Sequence, residues 1–593
     1  MSGSDPGAFL PVSRRDMEAR GWGICDFIFV SGDAYVDHPS FSCALLCRFL
    51  ENAGFRVGII AQPDWKNPSS YTVLGRPRLA FLVGSGNMDS MVSNYTAARR
   101  KRSDDAYSPG GAGGRRPDRA LLVYPQGIRQ AYKNAAVIIG GIEASLRRFS
   151  HYDYWSDLVR RSILLDSKAD LLVYGMGERA LLEIARRLAA GEAASDIRDV
   201  RGTCARYHGG TPLEAGIWKE VAILPEHDEV KGNDPAALRS FARQFMMQEQ
   251  CADPQSAGTL AQRNDGDRWV IQNPPAFPLE RAELDALYDL PFTRRAHPSY
   301  EAAGGVPALK EVKFSLVASR GCFGGCSFCS ISAHQGRAVK SRSKESLIRE
   351  ASRLCALPDF KGYIHDVGGP TANFYGAACE KQRRGGFCAG RQCLYPEPCP
   401  KLKPGHKEYL EVLAALRRLG GVKKVFIRSG IRFDFIQMDK AHGGKFLEEL
   451  CRHHVSGQLK VAPEHISKKV LDAMGKNSAA AGSYEAFKKA FDEQNRRLGL
   501  KQYLLPYFMS GHPGASTEEA AELARYLKKS GFTPEQSQDF YPTPGTMSAV
   551  MFRTGLDPRN MEPIYVPFGE RERRLQRAAL GGGSPPARKR KRE

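Results

Sequence analysis

The chain has 593 residues, of which 42% are hydrophobic and 25% are charged, and its formal net charge is +21. That length predicts two to four domains, and the composition is typical of a soluble globular protein. No apolar run approaches the roughly 20 residues that a membrane-spanning helix needs. Residues 1–20 lack the apolar segment of a secretory signal. We therefore predict a cytoplasmic protein whose 14 cysteines are mainly reduced thiols or metal ligands.

The first 200 residues alternate between predicted strands and helices. Short runs rich in aromatic and β-branched residues predict buried strands at 26–31, 56–60, 79–83, 136–139 and 171–174. A helical pattern covers residues 40–52. Strands separated by helices predict a parallel, doubly wound sheet of Rossmann type. The arrangement resembles cobalamin-binding domains, but the D-x-H-x-x-G pattern is missing, so we do not predict a bound cobalamin.

From about residue 202 to residue 307 the alternation weakens. A helix is predicted at 235–250, and a proline-rich stretch follows at 272–275. We interpret this region as a connector that packs across two domains rather than as an independent fold.

From residue 312 the alternation resumes more strongly. Strands are predicted at 312–318, 361–367, 423–428, 457–462, 502–509 and 533–540. Helical patterns lie between them, at about 341–356, 406–419, 438–453, 483–498 and 516–530. Six such repeats predict a partial or complete barrel whose active site lies at the carboxyl ends of its strands.

Three cysteines, in Cys322-Phe-Gly-Gly-Cys326-Ser-Phe-Cys329, directly follow the first of these strands. Thiolates spaced this closely suit one small inorganic cluster, and soft sulfur ligands favour iron–sulfur or zinc. Three ligands rather than four leave one metal open to a non-protein ligand. The spacing C-x3-C-x2-C differs from ferredoxin spacings and lacks the two separated pairs of a zinc ribbon. The alternative is a zinc knuckle completed by His334 or a later cysteine, which explains neither the barrel pattern nor the glycines.

The motif C-x3-C-x-Φ-C, with Phe328 at Φ, resembles the signature of the radical S-adenosylmethionine (SAM) superfamily. The resemblance implies that Cys322, Cys326 and Cys329 bind three irons of a [4Fe–4S] cluster. The fourth iron would take the amino and carboxylate groups of SAM. One electron from the reduced cluster would then cleave SAM to methionine and a deoxyadenosyl radical, which abstracts hydrogen from a substrate. An electron donor of flavodoxin or ferredoxin type is implied as a partner.

Residues at the ends of later strands are candidates for the SAM pocket. Gly368 and Gly369 resemble the superfamily's glycine pair, whose carbonyls receive the SAM amino group, although Pro370 stands where a glutamate is usual. Phe328 is suited to lie near the adenine. Polar side chains suited to the SAM carboxylate and ribose follow the third and fourth strands: Ser429, Arg432, Lys460 and Glu464. The alternative for each of these four is a strand-end cap or an ion-pair partner.

A second group of cysteines lies in the insertion after the second strand. Its members are Cys379, Cys388, Cys393 and Cys399. Four thiols within 21 residues suit an auxiliary iron–sulfur cluster or a zinc ion, but their spacing matches no standard pattern. Packed free thiols are the alternative.

Part of the positive charge is local. Residues 571–593 contain nine lysines and arginines against two glutamates, and further basic runs lie at 99–102 and 115–116. Such runs are usually solvated surfaces or disordered tails. They also make RNA or a ribonucleoprotein a candidate partner.

Long strings of residues then resemble one family within the superfamily, the YgiQ family. They occupy 140–155, 272–275, 291–300, 320–329, 393–396 and 541–545. The resemblance covers about residues 9–575. It implies a bacterial, cytosolic protein whose substrate is not established.

The sequence therefore predicts an α/β fold with two main domains. We expect a Rossmann-like doubly wound domain (1–205), a connector (206–307), a radical SAM (β/α)6 partial TIM barrel (308–560) with a cysteine-rich insertion (374–403), and a basic, disordered tail (561–593). The first domain is expected to close over the barrel mouth. The polar residues to examine there are Glu143, Arg147, Arg148, His151 and Asp153. Their alternative is a plain domain interface.

We predict a radical SAM enzyme that starts radical chemistry on an unknown substrate, with RNA or protein as the macromolecular candidates. No residue that acts on the substrate itself is assigned. One alternative is the same chemistry on a small metabolite. The other is a nucleic-acid-binding protein whose metal cluster is only structural.

Overall fold

We obtained the structure as a computed structural model, which describes residues 9–212, 220–476, 483–531 and 538–581. A nine-stranded sheet is followed along the chain by a half-barrel of parallel strands. Among the described residues, none of the helices is both long and apolar enough to cross a membrane.

The nine-stranded sheet belongs to the amino-terminal half of the chain. Its first five positions are parallel strands, which confirms the predicted arrangement. From the edge inward they are Val57–Ala61, Phe27–Ser31, Ala80–Gly84, Val137–Gly140 and Leu171–Val173. Each lies within one residue of its predicted segment at either end.

Both faces of this sheet are covered, as a doubly wound fold requires. Phe27 and Phe29 pack in one core cluster with the helices Ser42–Asn52 and Glu178–Ala189. Their neighbours on the strand point to the opposite face, where they pack with the helix Ala120–Ala131. The sequence there is apolar at every position because successive side chains alternate between two buried faces.

The predicted connector extends this same sheet. Four strands continue it in the order Thr203–His208, Arg268–Gln272, Thr259–Arg263 and Val221–Ile223. The predicted helix is present as Pro235–Gln250, and the side chain of its N-cap, Asp234, accepts hydrogen bonds from Ala236 N and Ala237 N. A boundary at residue 205 therefore divides strands that are hydrogen-bonded to one another.

The half-barrel has its strands in the order in which they occur along the chain, all parallel. They are Ser315–Val317, Tyr363–Ile364 with Asp366–Gly368, Lys424–Val425, Gln458–Glu464, Tyr503–Ser510 and Gln538–Asp539. The first strand is shorter than predicted because Pro307 begins a helix, Pro307–Val312, in the position where proline is favoured. The predicted sixth strand, 533–540, lies partly outside the described residues.

Helices connect these strands and cover the outer face of the half-barrel. They are Lys344–Cys355, Lys407–Arg417, Gly443–Glu449 with the π turn Leu450–His454, Tyr484–Leu498 and Thr517–Ser530. Ile364, Val425 and Leu459 pack among them in one core cluster. The residues that alternate with these three along the strands therefore face the inside of the barrel.

A buried ionic cluster joins the first sheet to the half-barrel. Arg294 and Arg342 both donate to the carboxylate of Glu350, which lies on the helix Lys344–Cys355. The residue after Arg294 begins a strand, Arg295–Ala296, that pairs with the first domain. Burial, with the charge of Arg342 beside it, lowers the pKa of Arg294 to about 9. One carboxylate thus holds two buried cations, one from each side of the contact.

Residues 561–581 differ from the predicted unstructured tail. The helix Glu570–Ala579 packs on the fifth barrel strand, where buried Gln576 accepts a hydrogen bond from Gly511 N (3.0 Å) and donates to Ala515 O (2.8 Å). Arg573 donates to the hydroxyl of Tyr154 in the first domain (2.5 Å). Polar contacts hold this helix, so it lacks the apolar periodicity by which helices are predicted. Residues 582–593, with the basic run 588–592, lie outside the described residues.

Shorter elements complete the chain. The helices are Arg14–Ala19, Ser90–Asn94, Gly141–Leu146, Ile163–Asp166, His227–Val230, Arg281–Tyr288, Ser330–Gln335, Glu380–Arg383, Phe433–Met438, Lys468–Ala473 and Met547–Thr554, with 3-10 turns at Pro68–Tyr71, Pro109–Gly111 and Pro298–Ala303. The strands are Val36–Asp37, His151–Asp153, Leu158–Arg160, Ser319–Arg320, Lys340–Ser341, Leu556–Asp557 and Glu562–Pro563.

Candidate metal centre at the barrel mouth

The cysteine loop begins where the first barrel strand ends. Cys329 is the N-cap of the helix Ser330–Gln335, and Cys322 N donates to Gly336 O (3.1 Å) at the far end of that helix. Between the cysteines, Ser327 N donates to Met474 O (2.9 Å) and its hydroxyl to Ala473 O (2.8 Å). The loop is therefore fixed at both ends and in its middle.

The three thiols are partly buried and face one another. Burial raises the pKa of Cys329 to about 12, with smaller contributions from the neighbouring thiols Cys326 and Cys322. Burial likewise raises the pKa of Cys322, whose sulfur lies 3.5 Å from Thr371 Oγ1. Thiols that resist ionisation because they are buried beside one another are stabilised as thiolates by metal cations. The site therefore fits a cationic cluster.

No group of three or more His, Cys, Asp or Glu side chains within the described ranges is arranged to hold a single metal ion. A [4Fe–4S] cluster places a different demand on its ligands, because each thiolate binds a separate iron and the sulfurs do not converge on one point. In the zinc-knuckle alternative, the fourth ligand would be His334 or a later cysteine. The Nδ1 atom of His334 lies 2.9 Å from the hydroxyl of Ser145 in the first domain.

Arg432 reaches the cysteine loop from the end of the third strand. Its NH1 atom lies 3.7 Å from the sulfur of Cys326, and its Nε donates to Asp434 Oδ1 (2.9 Å). Burial opposes the charge of Arg432, but Asp434 and the cysteines raise its pKa. The guanidinium therefore stays protonated and holds a positive charge against the thiols.

Gly368 and Gly369 leave no room for a side chain. A Cβ atom at Gly368 would lie 1.8 Å from Ser429 Oγ, and one at Gly369 would lie 2.6 Å from Ser319 O. The carbonyl of Gly368 accepts a hydrogen bond from Ala318 N (2.6 Å), which ties the second strand to the first. The hydroxyl of Ser429 donates to Asp366 on the neighbouring strand.

The fourth strand contains two candidate SAM-binding residues, of which one is buried and the other exposed. Glu464 is buried and has a φ of 66°, a left-handed conformation that costs a residue with a side chain of order 1–3 kcal/mol. Its carboxylate lies 3.5 Å from Lys476 Nζ. Lys460 is exposed on the inside of the barrel. Strained residues of this kind concentrate at functional sites, which favours Glu464.

Phe328 lies on the side of the loop that faces the fifth strand. Its ring contacts the edge of the His512 ring, with the centroids 6.1 Å apart. His512 Nε2 lies 2.7 Å from the hydroxyl of Ser548, and burial lowers the pKa of His512 to about 3. Phe328 therefore lines the mouth beside an uncharged imidazole.

In the second cysteine group, burial raises the pKa of Cys393 to about 11, and the charges of Cys379 and Cys388 also raise it. Cys388 is exposed, whereas Cys393 and Cys399 pack at the edge of the small core cluster that also contains Phe323. Cys379 is the N-cap of the short helix Glu380–Arg383. The insertion nevertheless lies against the first cysteine loop, because a Cβ atom at Gly325 would lie 3.2 Å from Gln392.

The first domain touches the barrel mouth. Arg320, at the start of the cysteine loop, forms an ion pair with Glu178 (2.6 Å) of the first domain. Three of the five polar residues expected there have partners within the first domain. Glu143 accepts from Ser90 N and Leu121 N, Asp153 pairs with Arg119, and Arg147 with Asp89. These charges hold the first domain together rather than point into the mouth.

Sequence reasoning missed three residues that set up this site. They are Thr371, Asp434 and Lys476. The pattern Arg-x-Asp at 432–434 could have indicated the Arg432 pair, since two side chains at the start of a helix are close in sequence. No local signal marks Lys476, which lies 12 residues beyond Glu464 and meets it only through the fold.

Family models match nearly the whole chain. A radical SAM N-terminal model matches residues 9–315, a radical SAM superfamily model matches 316–527, and a domain of unknown function (DUF3362) matches 535–583. The chain is 51% identical over 574 residues to a UPF0313 protein of Clostridium botulinum (strain Okra / Type B1), covering 96% of this chain and 87% of that protein. It is 51% identical over 577 residues to a UPF0313 protein of Clostridium perfringens (strain 13 / Type A), covering 97% and 85%.

Two solved structures resemble the chain more distantly. One is the radical SAM methyltransferase TsrM from Kitasatospora setae, with cobalamin and a [4Fe–4S] cluster bound (16% identity, TM-score 0.49, 88% of this chain and 77% of that one). The other is OxsB, a cobalamin-dependent SAM radical enzyme (10% identity, TM-score 0.46, 86% and 53%). Likenesses this distant carry neither a substrate nor a cofactor across to this chain.

Proposed function

This chain belongs to the UPF0313 family, also called the YgiQ family, and its radical SAM domain makes it a radical SAM enzyme with a [4Fe–4S] cluster and SAM; we propose that Cys322, Cys326 and Cys329 hold that cluster. One observation supports this assignment above the others. The three thiols lie together at the carboxyl end of the first barrel strand, where their charges act on one another and on Arg432. When bound and reduced, the cluster supplies the electron that cleaves SAM to methionine and a deoxyadenosyl radical.

The chain's own side chains would prepare the site for that chemistry. Arg432 places a permanent positive charge 3.7 Å from the sulfur of Cys326. Asp434 orients the guanidinium from the opposite side. Gly368 and Gly369 let the strand end pack closely against Ser429 and Ser319, because a Cβ atom at either glycine would lie within 2.6 Å of them.

The remaining candidates suit the other parts of SAM. Glu464 carries a buried carboxylate at the end of the fourth strand and suits paired ribose hydroxyls. Phe328 offers an aromatic surface for the adenine at the mouth. Lys460 is exposed and suits an anionic group inside the barrel.

We propose a macromolecule, RNA or protein, as the substrate and a flavodoxin or ferredoxin type of protein as the electron donor. The net charge of +21 favours an anionic macromolecule over a small metabolite, because a field of that sign attracts polyanions to the whole surface.

Anaerobic reconstitution tests the cluster assignment. The wild-type chain should bind about four iron atoms and form deoxyadenosine from SAM when a reductant is added. Cys326→Ala should lose both the iron and the deoxyadenosine. Cys355→Ala is the matched control, since Cys355 is a partly exposed thiol on an outer helix, and should retain both.

Two outcomes would redirect the proposal. A full cluster without any deoxyadenosine would favour the nucleic-acid-binding protein with a structural cluster. Zinc near one atom per chain that persists in Cys326→Ala would assign a metal to the second cysteine group.

A further inference from the structure

The inside of the half-barrel carries cations and aromatic rings. On the third strand, Val425 and Ile427 are buried among the outer helices. Lys424, Phe426 and Arg428 alternate with them and so point to the inside. Lys424 and Arg428 are exposed, which leaves this part of the inside open to solvent.

The second, fourth and fifth strands continue this surface. On each of them the residue next to the exposed one packs outward, as Ile364, Leu459 and Leu504 do. We call the resulting surface the inner face, and it consists of Tyr363, Lys424, Phe426, Arg428, Lys460 and Tyr503. Tyr363 is 42% exposed and Tyr503 is 66% exposed.

One carboxylate lies near the three cations of the inner face, since the charge of Arg428 acts on Asp366 of the neighbouring strand. Lys424, Arg428 and Lys460 form no ion pair with any carboxylate in the described part of the chain. Three positive charges on one surface attract an anion with several charges.

Two aromatic rings of the inner face, Tyr363 and Phe426, lie close to each other and to a cation. The rings of Tyr363 and Phe426 are nearly parallel, 12° apart, with centroids separated by 6.3 Å. The guanidinium of Arg428 lies 5.5 Å from the Phe426 ring centroid. Tyr363 pairs in register with Lys424, so a ring and a cation sit side by side on neighbouring strands.

We propose that the inner face binds a single-stranded segment of nucleic acid, which is the substrate of this enzyme. The inference rests on the proposed radical SAM function, because it names the substrate class of that same barrel. Proteins that bind single strands combine a positive groove for the phosphates with aromatic side chains on which bases stack. An acidic peptide would satisfy the cations but would make no use of the exposed aromatic ring of Tyr503.

The inner face leads to the cysteine loop. Arg428 and Arg432 lie four residues apart on the segment that follows the third strand, and Arg432 lies 3.7 Å from the sulfur of Cys326. A strand bound along the inner face would thus run towards the place where the radical is formed.

Binding of a 12-nucleotide single-stranded RNA of mixed sequence, measured by fluorescence anisotropy on the reconstituted full-length chain, tests the proposal. In every variant the five basic residues at 588–592 are replaced by glutamine, so the tail cannot account for binding. The test variant is K424A/R428A/K460A. The control is R525A/K528A/K529A, which removes the same two lysines and one arginine, all exposed, from an outer helix.

Each phosphate contact with a single strand contributes about 0.7 to the slope of log Kd against log salt. Loss of three contacts should therefore lower that slope by about 2 and weaken binding about 50-fold at 0.15 M salt. Tyr503→Ala should weaken binding about tenfold with an unchanged slope, because stacking does not depend on salt in this way. The control should bind like the parent chain.

Equal weakening in the test and control variants would overturn the proposal. So would binding of poly-glutamate as tightly as of RNA with no effect of Tyr503→Ala, which would assign an acidic protein instead. A DNA strand of the same sequence distinguishes the two kinds of nucleic acid. Deoxyadenosine formation by the parent chain without RNA tests the radical SAM function separately, so either idea can fail alone.

Discussion

Arg432 forms a buried ion pair behind the cysteine loop, and removing its charge should destabilise the barrel. Its side chain is 11% exposed, and that of its partner Asp434 is 4% exposed. Removing one member of a buried pair costs about 3–5 kcal/mol, because the other charge is left without a partner in a medium of low dielectric constant. Arg432→Met should therefore lower the free energy of unfolding by about 3–5 kcal/mol. In a barrel of this size that corresponds to roughly 10 °C in melting temperature.

A second substitution separates stability from cluster binding. The double variant R432M/D434L removes the unpaired carboxylate as well, and apolar replacement of a whole buried pair is often neutral. It should therefore recover most of the lost stability. It should still bind the cluster poorly, because Cys326 keeps no cation at 3.7 Å.

Urea unfolding of the apoprotein, followed by circular dichroism, measures the stability of both variants. Iron content after anaerobic reconstitution measures the cluster. A loss below about 1 kcal/mol in Arg432→Met, as at an exposed pair, would refute the burial argument. Full iron content and deoxyadenosine formation in the double variant would show that the guanidinium serves only the fold.

Three further changes test the surroundings of the site. Glu350→Gln should cost about 3–5 kcal/mol in urea unfolding because it leaves two buried arginines unpaired, whereas Glu493→Gln, at an exposed pair, should cost less than about 1 kcal/mol. Gly368→Ala should lower the stability measured by thermal melting by about 1–3 kcal/mol, because its Cβ would lie 1.8 Å from Ser429 Oγ. It should also abolish SAM binding measured by calorimetry. Adding Ser429→Gly to the same chain should restore much of the stability and of the SAM binding. Glu519 closes the capping box of the helix Thr517–Ser530. Burial raises the pKa of its carboxyl, but hydrogen bonds outweigh burial and lower that pKa from 4.5 to about 2. Glu519→Gln should therefore cost about 1 kcal/mol at pH 7, and its difference from the wild type in urea midpoint should vanish as the pH falls from about 4.5 to about 2.

Much of the fold could be predicted because its signals are local. The strand Phe27–Ser31 is apolar throughout since both faces of its sheet are covered, and such a run between turn residues is a strong strand signal. The cysteine motif is equally local, with all three thiols within eight residues. Its position after the first barrel strand was predicted from the order of the alternating strands and helices.

The rest of the site depends on contacts that the chain makes only when folded. Glu464 and Lys476 meet through the turn after the fourth strand, and no pattern in either segment predicts the pair. Ser429, a candidate for SAM, donates its hydroxyl to Asp366 on the neighbouring strand, and its role in binding SAM stays a prediction. Residue type and strand position predicted which residues lie near the site. They did not predict which group each side chain contacts.

The helix Glu570–Ala579 also bears on the timing of synthesis. Because Gln576 hydrogen-bonds to the segment that follows the fifth strand, this end of the barrel cannot be finished until Gln576 has left the ribosome. Cys322 is translated about 250 residues earlier, which at about 5–20 residues per second is an interval of about 13–50 s. The three thiols spend that interval in an unfinished chain, and iron–sulfur assembly has this window in which to reach them before the mouth is complete.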